Sequence, residues 1–171
     1  MDLEEELASF APRRGEDKGE WFVAEGRWVV DALLAGNFEV DSIVVVGGQH
    51  EDLLEKIPDG VRILRPSKEK IGKILGFTFN RGVLARARRP ESAQMEAAEG
   101  LIVVCPELAD ASNLGAIIRC AAAFGATGVA VERGRGASPY ARKAIRASSG
   151  MVFRKRIWET PKLLEDVRRL R

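Results

Sequence analysis

The sequence predicts an α/β protein of two units, the second built on a parallel sheet. After the break at Arg88-Arg89-Pro90, short apolar runs alternate with segments of helical pattern, as in parallel-sheet proteins. The first of these runs, residues 101–105, is continuously apolar, which is typical of a strand inside such a sheet. The chain has 171 residues and 46% apolar residues, enough for two small cores.

The first unit is predicted to be a small α/β domain over residues 21–90, preceded by a loose or partly helical lead-in, residues 1–20. Trp28, Val29, Ala32 and Leu33 recur at helical spacing, and Gly36 is placed to end that helix. Strands are predicted at 42–46, 61–64 and 82–88, the last with one face open, and helices at 51–57 and 67–75, where Ser67 is the N-cap.

The second unit is predicted to follow a polar linker, residues 91–99, and to occupy residues 100–171. Its apolar runs predict strands at 101–105, 128–131 and 151–157. Helices are predicted at about 113–124, near 140–147 and from 161 onward. The alternation places all three strands in one parallel sheet.

Charge divides the chain unevenly. Residues 1–85 carry 11 Lys/Arg against 16 Asp/Glu, whereas residues 86–171 carry 16 against 9. From Arg133 to Trp158 every charged residue is basic, and these residues are Arg133, Arg135, Arg142, Lys143, Arg146, Arg154, Lys155 and Arg156. Such a block can be an ordinary solvated surface, but it also suits a polyanion, because neutralised phosphates release counterions.

Composition excludes several classes of protein. No run approaches the ~18–20 apolar residues of a membrane helix, and the acidic N-terminus has no secretory pattern. We therefore expect a cytoplasmic protein without a membrane partner. Cys105 and Cys120 lie in apolar runs and are predicted to be buried, and His50 is predicted to lie on the surface. The sequence has no phosphate-binding glycine loop and no Cys/His cluster, so no metal site is predicted.

The segment from Asp110 to Gly125 is the most informative for chemistry. Its apolar residues form one stripe of a helix, and Arg119 lies off that stripe, one turn after Gly115. A glycine inside a helix costs ~1 kcal/mol relative to alanine, which suggests that a ligand approaches the helix there. Asn113 would point to the carboxyl end of the sheet, where α/β proteins bind ligands. The alternative is that Asn113 is only an N-cap, Arg119 a surface cation and Gly115 a spacer.

Four blocks of sequence resemble the SpoU (TrmH) family of RNA ribose methyltransferases, a branch of the SPOUT superfamily. Asn-x-Gly-x-x-x-Arg at residues 113–119 is similar to the first family motif, and residues 138–150 to the helix and turn downstream of it. Residues 22–26 and 81–85 resemble the beginning and end of the substrate-binding domain that precedes many of these enzymes. The resemblance implies an RNA-binding domain at 21–90 and a SPOUT-type domain, of the trefoil-knot family, from residue 100.

The resemblance also implies a reaction, in which S-adenosylmethionine methylates a ribose 2′-hydroxyl of rRNA or tRNA. Asn113 and Arg119 match the catalytic positions. Because an arginine side chain is a poor base, we expect Arg119 to orient the ribose-phosphate, with the base left open. The matching helix and turn predict RNA contacts and supporting residues, and Gly115 is a further supporting residue. The RNA contacts are Arg142, Lys143, Arg146 and Arg154, and the turn residues are Ser149 and Gly150.

The family's second and third motifs have no counterpart in this sequence, so the SPOUT-type domain is expected to be incomplete at its C-terminus. The resemblance attributes cofactor binding and most of a homodimer interface to those segments. We therefore expect the dimer only in a full-length form, assign no cofactor-binding residue, and expect the chain alone to be inactive. An alternative is a catalytically inactive RNA-binding adaptor, and a third interpretation is an unrelated nucleotide-binding α/β domain.

Overall fold

The computed structural model describes residues 2–12, 19–91, 95 and 99–170, and the chain forms two compact units, Met1–Arg89 and Pro90–Arg171. The predicted lead-in and linker therefore lie in part outside the described residues. Within the described residues, none of the helices has the length and apolar character needed to cross a lipid bilayer. Each unit has its own sheet and is described separately.

The first unit is a mixed sheet with three α-helices and one 3₁₀-helix. Its elements are α1 (Leu3–Ala8), β1 (Trp21–Glu25), α2 (Arg27–Leu34), β2 (Val40–Val45), a 3₁₀-helix (Glu51–Lys56), β3 (Arg62–Leu64), α3 (Lys68–Leu75) and β4 (Val83–Arg88). The strand order is β1-β4-β2-β3, in which only β2 and β3 are parallel. Ser67 caps α3 as predicted, because its Oγ accepts a hydrogen bond from the backbone N–H of Lys70 at 3.2 Å.

Strand β4 lies inside the sheet, between β1 and β2. The open face predicted on residues 82–88, that of Leu84, Arg86 and Arg88, was wrong for its first part, since Leu84 is fully buried and Arg86 half-buried, whereas Arg88 is exposed. The guanidinium of Arg86 lies 4.5 Å from the centre of the Trp21 ring. The small residues of β4 lie on its other face, which is fully buried as the alternation predicted.

The lead-in contributes to the core of the first unit. Leu7 of α1 and Phe10, just after it, are fully buried and pack with Ile71, Phe79 and Leu84. Of the two alternatives for the lead-in, loose or partly helical, the structure shows the second for Leu3–Ala8. Two apolar side chains spaced three residues apart were too few to give a clear periodic signal.

The second unit is a three-stranded parallel sheet with helices between the strands. Its elements are β5 (Ile102–Cys105), α4 (Ala111–Ala123), β6 (Gly128–Glu132), α5 (Arg142–Ala147), β7 (Arg156–Thr160) and α6 (Leu163–Arg169). The order β5-β6-β7, with every pair parallel, confirms the predicted α/β class. The predicted strand 151–157 was wrong at its start, because Met151–Phe153 is a 3₁₀ turn and β7 begins at Arg156.

Trp158 is the centre of the second unit's apolar core. It is fully buried and packs with Met95, Ala130 and Leu163. Met95 thus belongs to the core, although the sequence placed it in a polar linker. Strand β5 is an edge strand of the described sheet and is only half-buried, with Leu101 just before it exposed. The continuously apolar sequence had predicted a strand inside the sheet.

Candidate functional site

The N-terminus of α4 lies at the carboxyl end of the parallel sheet, because α4 follows β5 directly. Asp110 is the N-cap, and its Oδ1 accepts a hydrogen bond from the backbone N–H of Asn113 at 2.7 Å. The interpretation of Asn113 as the cap residue was therefore wrong. Its side chain is exposed and forms no hydrogen bond with any residue that the structure describes. It is available to a ligand at this end of the sheet.

Gly115 is buried against helix α5. A Cβ built at Gly115 would lie 2.3 Å from the carbonyl oxygen of Ala144 and 2.7 Å from the Cβ of Ala147. The sequence had suggested that a ligand approaches α4 at this glycine. That suggestion was wrong, since the chain itself fills the space, and the supporting role of Gly115 is one of packing between helices.

Arg119 lies on α4 one turn beyond Gly115, about 40° further around the helix axis, and therefore on the flank next to α5. Its side chain is exposed and pairs with no carboxylate of the described residues. Asn113 lies about 120° around the axis from Arg119. The two predicted catalytic residues therefore share a helix but not one face of it.

The predicted RNA contacts lie on α5 and just after it. Lys143, Arg146 and Arg154 are exposed, and none pairs with a carboxylate within the part of the chain that the structure describes. Arg142 is half-buried at the first position of α5. Three of the four predicted contacts thus keep their full positive charge available to an anion.

Three other members of the basic block are occupied by the protein itself. The Nη1 atom of Arg135 lies 2.7 Å from Oε1 of Glu107, and its Nε lies 3.7 Å from Glu132. Lys155 donates a hydrogen bond to the carbonyl oxygen of Ala126 at 2.9 Å, and Arg156 lies over the Trp158 ring. The sequence could not separate these cations from the free ones, because Glu107 is 28 residues from Arg135.

Ser149 and Gly150 end α5 in a tight turn. Both have left-handed backbones, with φ of 52° and 78°, and the backbone N–H of Gly150 donates to the carbonyl oxygen of Ile145. A left-handed serine is uncommon, because its Cβ is strained there, whereas glycine adopts this conformation freely. The turn directs the chain into the 3₁₀ segment Met151–Phe153, which contacts α4.

The cations of the first unit are mostly neutralised by ion pairs. Each of the following lies within 4.0 Å of a carboxylate: Arg27, Lys56, Arg62, Arg65, Lys70, Lys73, Arg81, Arg86 and Arg88. Among its described residues this unit therefore presents less free positive charge than α5, although the resemblance assigns RNA binding to it. The difference was hidden in the sequence, where only net charge can be counted.

The aromatic residues of the first unit are divided between core and surface. Phe22 is buried and Trp21 half-buried, but Trp28, which shares the helical spacing of the buried Val29 and Leu33, is 78% exposed on α2. His50 is half-buried, and its Nε2 lies 3.2 Å from the carbonyl oxygen of Arg81. Trp28 remains a candidate for stacking on an RNA base.

The two cysteines differ in environment. Cys105 is buried at the end of β5, and burial raises the pKa of its thiol. Cys120 is exposed on α4, contrary to the prediction. Among the described residues, no group of three or more His, Cys, Asp or Glu side chains is placed to hold a metal ion.

Comparison with known proteins identifies relatives of both the sequence and the fold. Residues 100–171 match the SpoU rRNA Methylase family. Over 132 residues the chain is 34% identical to a protein of Mycobacterium bovis named as an uncharacterized tRNA/rRNA methyltransferase, covering 75% of this chain and 46% of that protein. It is 33% identical over 127 residues to a 23S rRNA (guanosine-2′-O-)-methyltransferase of Acinetobacter baylyi, covering 65% and 51% respectively.

A solved structure extends the comparison to nearly the whole chain. The rRNA methyltransferase of Sinorhizobium meliloti, crystallised with S-adenosylmethionine, superposes with a TM-score of 0.78 at 24% identity. The superposition covers 98% of this chain and 66% of that one, and it shows that the two share a fold. The chain spans about half the length of the curated relatives it matches.

Proposed function

We propose that the chain is a member of the SpoU rRNA Methylase family, which residues 100–171 match, and that it acts in the 2′-O-methylation of ribosomal or transfer RNA. In this proposal the cations of α5, together with Arg154 after the 3₁₀ segment, bind the RNA backbone. Asn113 and Arg119 of α4 contact the ribose that is modified. The first unit, residues 21–90, would contribute further RNA contacts. The names of the relatives support RNA as the substrate class.

The proposal rests on the unpaired cations of α5 and of the segment that follows it. Lys143, Arg146 and Arg154 are exposed without a carboxylate partner among the described residues, whereas Arg135 and most cations of the first unit are ion-paired. An exposed ion pair contributes little to stability, and an unpaired arginine or lysine contributes less still. Such cations suit phosphate oxygens, to which they donate charge-assisted hydrogen bonds.

Arg119 is proposed to bind the phosphate next to the target ribose. Its guanidinium carries a fixed positive charge and several N–H donors, so it can hold a phosphate oxygen and orient the neighbouring 2′-hydroxyl. The same charge favours loss of the hydroxyl proton by stabilising the oxyanion that develops. Asn113 would hydrogen-bond the substrate through its exposed amide. No described residue is assigned as the proton acceptor.

S-adenosylmethionine is proposed as the methyl donor, and when bound it would supply the methyl group that the ribose O2′ accepts. The closely packed glycines of the second unit do not form a cradle for it. At these positions an added Cβ would meet the chain itself, and they are Gly100, Gly115, Gly128 and Gly136. We therefore assign no described residue to the cofactor and derive no step through it.

RNA titrations of the chain test the proposal directly. The affinity for a 23S rRNA fragment, measured by fluorescence anisotropy, should fall steeply as salt rises. Arg146→Ala should lower the slope of log affinity against log salt by about 1. Arg135→Ala removes the same charge from an ion-paired position and is the matched control, with little expected effect.

Two results would count against the proposal. An affinity that hardly changes with salt would mean that phosphate contacts do not drive binding. Equal losses for Arg146→Ala and Arg135→Ala would mean that only net charge matters and that α5 is not the interface. Methyl transfer is tested separately, by incorporation of labelled methyl groups into rRNA and resistance of the product linkage to alkaline cleavage.

A further inference from the structure

The backbones of helices α4 and α5 come into close contact at Gly115. An alanine at position 115 would place its Cβ 2.3 Å from the carbonyl oxygen of Ala144 and 3.0 Å from the carbonyl carbon. Real Cβ atoms do not approach backbone oxygens below 3.0 Å. Because a helical carbonyl cannot rotate away, a side chain at position 115 has to push α5 outward.

Each of the two helices carries, within one turn of the crossing, a cation without a carboxylate partner among the described residues. Both helices follow strands of one parallel sheet, so they run in the same direction. Arg119 is one turn beyond Gly115 on α4. Arg146 lies about 130° around the α5 axis from the side that Ala144 and Ala147 turn toward Gly115, so it moves with α5 without facing the crossing. The 3₁₀ segment after the turn at Gly150 also contacts α4, which is consistent with this alignment.

We propose that Gly115 is a positioning residue, whose missing Cβ sets the distance between Arg119 and Arg146 so that both contact one RNA strand. The proposal rests on the proposed RNA-binding function of α5. The element that approaches α4 closely at Gly115 is therefore α5 and not a ligand. The glycine lowers the intrinsic helix propensity of α4, and the close packing of the two helices accounts for its presence.

A double-mutant cycle separates positioning from simple packing. RNA affinity is measured for the chain, Gly115→Ala, Arg146→Ala and the double variant, and urea denaturation verifies that each is folded. Gly115→Ala should weaken binding about eightfold at 0.1 M salt if one phosphate contact is lost. In the Arg146→Ala background, Gly115→Ala should have almost no further effect, because the contact that the displaced α5 would lose is already missing.

Gly72→Ala is the matched control. Gly72 is also inside a helix, α3, but a Cβ there would lie at an ordinary 3.5 Å from the carbonyl oxygen of Phe77. This variant should leave RNA affinity unchanged. If Gly115→Ala does not fold, Ala147→Val enlarges the other side of the same crossing, at a half-buried position, and takes its place in the cycle.

The outcomes distinguish this proposal from the function on which it rests. If Arg119→Ala and Arg146→Ala both leave RNA affinity unchanged, the RNA-binding function of α5 is wrong. If these two variants weaken binding but folded Gly115→Ala does not, only the positioning role is wrong. Additive losses for Gly115→Ala and Arg146→Ala would also overturn it, because they would show that the glycine acts independently of Arg146.

Discussion

Asp110 and Asn113 form the N-terminal cap of α4, with 2.7 Å between Oδ1 of Asp110 and the backbone nitrogen of Asn113. The cap uses the main chain of Asn113 and leaves its side chain exposed. Helix capping and solvent exposure are therefore divided between two residues of one turn, because the carboxylate holds the helix end and the amide faces solvent.

Substitutions at these two residues should separate the roles. Asp110→Ala should lower the free energy of unfolding by about 1 kcal/mol, the usual cost of a lost N-cap. Asn113→Ala should change it by less than about 0.5 kcal/mol, because an exposed side chain without a partner is removed. Urea denaturation measures both. A larger loss for Asn113→Ala than for Asp110→Ala would show that the asparagine amide supports the fold.

Arg119→Ala should leave the fold intact and remove methyl transfer from any form of the protein that methylates RNA. The side chain is exposed and unpaired among the described residues, so the stability change should be within about 0.5 kcal/mol. Arg135→Ala, at an exposed but ion-paired position, is the control and should keep its activity. Near-normal turnover of Arg119→Ala, or loss of activity through unfolding, would make Arg119 a structural residue.

The chain of 171 residues should bind S-adenosylmethionine very weakly. The space beside the close-packed glycines of the second unit is filled by the chain's own atoms. No other described residue has been assigned to hold the cofactor. Isothermal titration calorimetry with the purified chain should therefore show no saturable heat at micromolar concentrations. A micromolar dissociation constant would place the cofactor site among the residues of this chain and would require a new assignment.

The two cysteines should differ in their reaction with a thiol reagent. Cys120 is exposed, whereas Cys105 is buried and burial raises the pKa of its thiol. Because the thiolate is the reactive form, native protein at pH 8 should label at Cys120 and react at Cys105 only after unfolding. Mass spectrometry of labelled peptides, with Cys120→Ser as the control, identifies the sites. Equal labelling of both cysteines in native protein would contradict the structure of β5.

The sequence by itself determined the α/β class, the order of strands and helices after residue 100, and the N-cap at Ser67. These properties are local or periodic. Alternating apolar runs and helical spacing predict elements, and a serine before a helical pattern predicts a cap within three residues of its partner. The resemblance of residues 113–119 to a family motif is local in the same way, and the family comparison confirmed it.

Tertiary structure alone decided which residues lie across from one another. Arg135 is neutralised by a glutamate 28 residues away, whereas Arg146 is free, yet both belong to one basic block. Gly115 faces a helix rather than a ligand, and Trp28 lies outside the core despite its helical spacing. Periodicity shows that a residue lies on a face, but the occupant of the opposite face comes from distant sequence, and no local pattern specifies it.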